Sequence, residues 1–275
     1  MRSRASGLLL CLLLAGASRA VAQAPESVFL EELTWTELRD VIRSGKTTII
    51  LPIGGTEQNG PHMALGKHNV RVKALSERIA RALGNALVAP VLAYVPEGDL
   101  SPPTGHMRFP GTITLPDATF RTFLEYAGRS FKLHGFRDIV LLGDHGSTQA
   151  GQQAVAARLN REWAATPVRV HAVEEYYRTG HGEFRNLLKT RGYRESELGS
   201  HASLTDTSLM LAIDPRMVRT GHLRRGAGLR DGDGVDGDPS RSSAELGRLG
   251  VEAIVAQTVD AIRKSVARRE RRGAP

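Results

Sequence analysis

Between residues 47 and 173 the chain alternates short β-branched apolar runs with longer stretches of helical periodicity, a rhythm that few folds accept. Residues 47–53 (TTIILPI) are apolar on both faces, as a strand buried in a parallel sheet must be, and stop at Gly54 and Gly55. A helical pattern over 70–83 closes at Gly84. A strand follows over 86–91, a helix over 117–133 closes at Gly135, and a second apolar strand runs over 138–142. Another helix over 149–163 and a strand over 168–173 complete the series. This predicts an α/β fold, a single three-layer α/β/α domain whose mostly parallel sheet is covered on both faces. Such sheets bind ligands beyond the carboxyl ends of their strands, so the loops after residues 53 and 142 are where chemistry is expected. Before the first strand, Thr34 and Glu37 form a capping-box pattern ahead of Leu38, Val41 and Ile42. After the last come a helix over 208–213 halted by Pro215, a loop rich in Gly and Asp over 226–239, and a helix from Ala244 to about Arg268.

The two ends of the chain are of another kind. Arg2 and Arg4 precede an apolar run over 8–14 and the small residues Ala20, Val21 and Ala22, the pattern of a signal peptide, residues 1–22. That predicts an exported protein, periplasmic or secreted. The run is shorter than the roughly 20 residues a membrane helix needs, and no later stretch qualifies, so no membrane insertion is expected. Cys11, the only cysteine, lies in this leader, which leaves the mature chain without thiolate chemistry. The net charge of +8 does not mark a nucleic-acid binder. It sits in three leader arginines and in the stretch 263–275, where six basic residues face only Glu270. The domain, residues 23–268, is therefore followed by an expected basic disordered tail over 269–275.

Three loops concentrate histidines and carboxylates. The first holds Glu57, Asn59, His62 and His68, the second Asp144, His145 and Ser147, the third His201 and Asp206. Five of the nine histidines lie in these loops or at His106. Two imidazoles and a carboxylate can hold a divalent metal while leaving positions open for water and substrate.

These segments resemble the creatininase (creatinine amidohydrolase) family. The carriers are residues 57–62 (EQNGPH), 109–113 (FPGTI), 135–146 (GFRDIVLLGDHG), 201–210 (HASLTDTSLM) and 237–239 (GDP), in the family's order. The resemblance implies a metal-dependent hydrolase that opens a non-peptide or cyclic amide C–N bond with metal-activated water, a small amide substrate, and a homo-oligomer, hexameric in family members. Members hold two metals with Glu and His in an E-x-H pattern, a bridging Asp eleven residues after that Glu, a His in a later N-G-H turn and, in some, a Glu two residues beyond it. By position Glu57 and His145 are kept, whereas Asn59, His68 and Ser147 stand where the other ligands would be. These exchanges remove most of the second site, and an imidazole at His68 suits an ion that needs no bridge. The resemblance therefore implies one divalent ion per subunit, Zn, Mn or Fe, on Glu57, His68 and His145, with Asn59 and Asp144 as further ligands or supports. Asp144 can equally cap the helix that follows it. His201 and Asp206 match a catalytic histidine and an acid five residues later, His201 to shuttle a proton to the leaving group and Asp206 to orient it or to cap its helix. His62, His106 and Ser147 are expected around the pocket.

Two other readings stand beside this one. The altered ligand set allows an exported small-molecule-binding protein that kept the fold without turnover. A serine hydrolase using Ser147 fits the fold class but lacks the G-x-S-x-G turn. No strand leads into G-x-G-x-x-G or a P-loop, which disfavours a nucleotide-dependent oxidoreductase.

Overall fold

The apolar runs become four parallel strands, and the helical stretches pack against both of their faces. The computed structural model describes residues 26–223 and 232–273; the expected leader and residues 226–231 of the glycine-rich loop lie outside the described residues. In chain order the elements are α1 (Trp35–Arg43), β1 (Thr48–Ile53), α2 (Lys67–Leu83), β2 (Ala86–Val88), α3 (Asp117–Leu133), β3 (Asp138–Gly143), α4 (Gln149–Glu162), β4 (Arg169–Ala172), α5 (Glu175–Arg178), α6 (Phe184–Thr190), α7 (Glu195–Leu198), α8 (Leu204–Ile213) and α9 (Ala244–Gly273). The strand order is β2-β1-β3-β4, with β1 and β3 central and paired from Thr48↔Asp138 to Ile53↔Gly143.

Every residue of β1 and β3 is buried, which is why both read as continuous apolar runs. Successive side chains go to opposite layers. Ile50, Val88, Val140 and Leu142 pack with α2, α8 and α9, whereas Ile49, Leu51, Leu87, Ile139 and Leu141 pack with α1, α3 and α4. Trp163 belongs to the second layer, while Trp35 is exposed. The capping box at α1 forms as expected, Thr34 Oγ1 accepting from the Glu37 N–H and the Glu37 carboxylate from the Thr34 N–H.

Three helix boundaries differ by several residues from those read in the sequence, and the strand expected over 86–91 ends at Val88. Helix α2 starts three residues earlier, at Lys67, because its first turn carries buried charged residues that interrupt the apolar periodicity. Helix α8 starts at Leu204 for the same reason, with Asp206 in its first turn. Helix α9 continues to Gly273, so the stretch expected to be disordered from 269 is helical as far as that residue. Arg and Lys are good helix formers, and the Asp260–Lys264 pair adds an i,i+4 bond before it.

Helix α9 crosses α8 at Gly247, where a Cβ would stand 1.8 Å from the Ser208 carbonyl oxygen. Backbone cannot yield there as a flexible side chain could. Gly247→Ala is expected to cost about 1–3 kcal/mol, read as a lower urea midpoint; an unchanged midpoint would disprove the tight crossing.

Candidate metal centre

The carboxyl ends of β1 and β3 deliver the chemistry. Glu57 lies in the loop after β1, Asp144 and His145 directly follow β3, and the first turn of α2 turns Lys67, His68 and Arg71 inward. His106 sits on a 3-10 turn (Gly105–Arg108), and Glu97 in the loop that follows β2. Gly55, at φ +153°, lets that loop close in, since a Cβ there would meet Glu97 Oε1 at 2.8 Å.

Four side chains converge. One ligand atom each from Glu57, Glu97, His106 and His145 lies within 4.8 Å of the others. Glu57 Oε2 is 3.0 Å from His145 Nε2 and 3.1 Å from His106 Nε2, and His145 Nε2 is 3.3 Å from Glu97 Oε2. Both Glu97 oxygens are buried without a hydrogen-bond partner. Burial, and then the negative charge of Glu57, push the Glu97 carboxyl up to about 9. Burial acts on Glu57 in the same direction but is outweighed by the His68 charge and by hydrogen bonds from His145 and His68, which hold it well below the carboxylate range. Two buried carboxylates side by side, one of them orphaned, with two imidazoles beside them, fit a divalent cation, and the N/O donor set suits Zn²⁺ or Mn²⁺. Glu97 must give up its proton to such an ion. Binding at pH 7 is expected to release about one proton and to tighten as pH rises towards 9; calorimetry in two buffers of different ionisation enthalpy measures this, and no release would remove Glu97 as a ligand.

Behind the cluster lies a buried ionic layer. Arg71 Nε donates to Asp144 Oδ2 at 2.9 Å and Arg71 Nη1 to Asp206 Oδ1 at 2.7 Å. Lys67 Nζ donates to Asp206 Oδ2 at 2.9 Å, and the Tyr176 hydroxyl to Asp144 Oδ1 at 2.6 Å. Asp206 also accepts the backbone N–H of Ala202, a non-glycine residue held at φ 53° directly after His201.

The residues expected from sequence divide between these two layers. Glu57 and His145 are in the four-residue cluster that could hold an ion, joined by His106, which was expected only at the pocket wall. His68 is placed differently from the ligand role expected for it. Its Nε2 meets Glu57 Oε1 at 2.7 Å and its Nδ1 meets Asp144 Oδ2 at 2.6 Å, so both ring nitrogens face carboxylates rather than open space. Asp144 supports His68 and Arg71 and does not cap a helix. Asn59 donates to the Glu57 and Ala64 carbonyls and shapes its own loop. His62 is buried and bonded to Thr207 Oγ1, and Ser147 Oγ is 2.7 Å from His145 Nδ1. His201 Nε2 reaches the Gln58 carbonyl at 3.0 Å, leaving Nδ1 towards Glu57 Oε1 at 3.8 Å. Burial, then the Lys67 charge, lower the His201 imidazole to about 3 and keep it neutral. Asp206 was expected to orient His201; its hydrogen bonds go instead to Lys67, Arg71 and the Ala202 N–H, so it fixes the backbone beside His201.

Glu97, Lys67 and Arg71 were not read from the sequence as site residues. Glu97 carried one usable signal, an acid in a glycine-bounded loop after an apolar strand, like Glu57. A cavity of about 270 Å³, lined by Lys67, His106, His145, Tyr177, His181 and His201 among others, opens onto the cluster.

Residues 31–262 match the family model Creatininase, described as creatinine amidohydrolase. The creatinine amidohydrolase of Pseudomonas putida is 28% identical over 261 residues, covering 87% of this chain and 97% of that one. A mycofactocin precursor peptide peptidase of Mycolicibacterium smegmatis is 28% identical over 219 residues, covering 77% and 81%. A solved structure of creatininase with Mn superposes with a TM-score of 0.72 at 27% identity, covering 87% of this chain and 99% of that one. With the family model matched over residues 31–262 and the fold shared with a solved relative, this protein belongs to the creatininase family.

Proposed function

We propose that the chain is a metal-dependent amidohydrolase. It cleaves a C–N bond in a small non-peptide amide, with a divalent cation such as Zn²⁺ or Mn²⁺ held by Glu57, Glu97, His106 and His145. The observation that carries this reading is the pair of buried carboxylates, Glu57 and orphaned Glu97, facing two imidazoles beside a partly open cavity. When bound, the ion supplies Lewis acidity, activating water and polarising the amide carbonyl. The chain supplies the rest. His201, neutral and with Nδ1 towards the cluster, accepts a proton from the attacking water and returns it to the departing nitrogen. The strained backbone at Ala202, tied to Asp206, keeps that imidazole in place. Gln58 stands between the ligand histidine and the proton carrier, its Nε2 3.0 Å from His106 Nδ1 and its backbone carbonyl accepting from His201 Nε2 at 3.0 Å. The cavity size and polar lining suit a small ring or short amide.

Hydrolysis of a panel of lactams and cyclic ureides is expected to vanish on dialysis against a chelator and to return with Zn²⁺ or Mn²⁺. Chelator-resistant activity would shift the reading to Ser147, whose Oγ already bonds His145. An ion-loaded chain that binds such amides without ever cleaving them would leave a binding protein instead. The same proposal makes residues 1–22 a removed leader, the mature protein exported and the assembly a homo-oligomer. Intact mass of chain recovered from the periplasm and light scattering test these. Among the described residues no helix is long and apolar enough to cross a membrane.

A further inference from the structure

Glu57 divides its carboxylate between two sides. Oε2 faces the ligand cluster, 3.0 Å from His145 and 3.1 Å from His106. Oε1 faces His68 Nε2 at 2.7 Å and Lys67 Nζ at 3.9 Å. Lys67 is only 1% exposed, and its nearest contact is Asp206 Oδ2 at 2.9 Å. A lysine ammonium leaves water only where fixed negative charge compensates it. Here it answers to two carboxylates on separate elements, one of them shared with the ligand cluster.

Charge accounting points the same way. Four buried carboxylates, Glu57, Glu97, Asp144 and Asp206, stand against two buried fixed cations, Lys67 and Arg71. One divalent ion closes the deficit and two overshoot it. Any second ion using Glu57 Oε1 would also have to settle where Lys67 and His68 already stand.

We infer that Lys67 is a built-in cation that fills the Oε1 side of Glu57 and limits the centre to one divalent ion per chain. The inference rests on the centre proposed above and adds its stoichiometry and the residue that sets it. The positive charge also tempers the affinity for the first ion, since like charges a few ångströms apart in a poorly screened interior repel strongly.

The test is metal content by elemental analysis and ion affinity by calorimetry, with Mn²⁺ and Zn²⁺ as probes, on wild type and on Lys67→Met and Lys67→Gln. Gln can still donate to Asp206 and serves if Met destabilises the chain; thermal melts of the metal-free proteins report folding. Wild type is expected to saturate at one ion per chain. Either folded variant should take up a second ion or bind the first at least about tenfold more tightly. Folded variants with wild-type stoichiometry and less than that gain overturn the inference, as do two tightly held ions in wild type. A wild-type chain that binds no divalent ion would instead overturn the proposed centre itself, so the two failures are distinguishable.

Discussion

Glu57→Gln is expected to leave the purified chain without a retained divalent ion and to lower kcat/KM by roughly 10³-fold or more, the scale of removing a principal electrostatic element of an active site. No other side chain touches so much of the centre. Its two oxygens meet His68, His145 and His106 within 3.1 Å, with Lys67 beyond. An amide of the same shape keeps the packing but removes the charge, and its NH₂ must point at one of these donors. Glu97→Gln should lose the ion as well, whereas His68→Gln should keep it, because the imidazole of His68 bonds carboxylates through both nitrogens. Metal content of the three variants after gel filtration decides the ligand set. A metal-loaded Glu97→Gln together with a metal-free His68→Gln would return His68 to the place the sequence pattern suggested.

That contrast shows where the sequence was informative. Strand and helix order followed from apolar periodicity, since β1 and β3 are buried along their whole length and had to read as unbroken apolar runs. Position relative to strand ends also brought Glu57 and His145 together, 3.0 Å apart, whereas His201 came from the family resemblance. The ligand set was harder, because direction is not written in spacing. His68 and His106 look alike as loop histidines. His68 is held by α2 between two carboxylates, while His106 reaches Glu57 Oε2 from a 3-10 turn. Charged residues were hidden for a related reason. Lys67 and Arg71 lie where helical periodicity calls for apolar residues, and a sequence alone gives a buried cation no mark that separates it from an exposed one. The facing Asp144 and Asp206, distant in the chain, with Glu57 beside Lys67, make their burial tolerable.

Arg71→Met should therefore be the most damaging change outside the ligand cluster, with an expected loss of about 3–5 kcal/mol, the cost of removing one partner from a buried ionic group. The guanidinium is 2% exposed and bonds Asp144 and Asp206 at once, joining the end of β3 to the start of α8 through α2. Without it, Asp144 keeps only His68 and Tyr176, and Asp206 keeps Lys67 and the Ala202 N–H. For a domain of this size that loss lowers the melting temperature by roughly 6–20 °C. Arg71→Lys should recover little of it, because one ammonium cannot span both carboxylates. The acid limb gives an independent readout. Burial alone would raise both carboxyls, but the Arg71 charge on Asp144, and the Lys67 and then Arg71 charges on Asp206, hold them below the usual range. A depressed folded-state pKa contributes stability above the unfolded value near ~4 that is lost as pH falls through the folded one. Arg71→Met shrinks that depression, so its acid unfolding midpoint should move up towards pH ~4. A variant that melts within about 2 °C of wild type, with an unmoved acid limb, would mean that the apolar face of α2 holds the helix alone and that the ionic layer only orients the site.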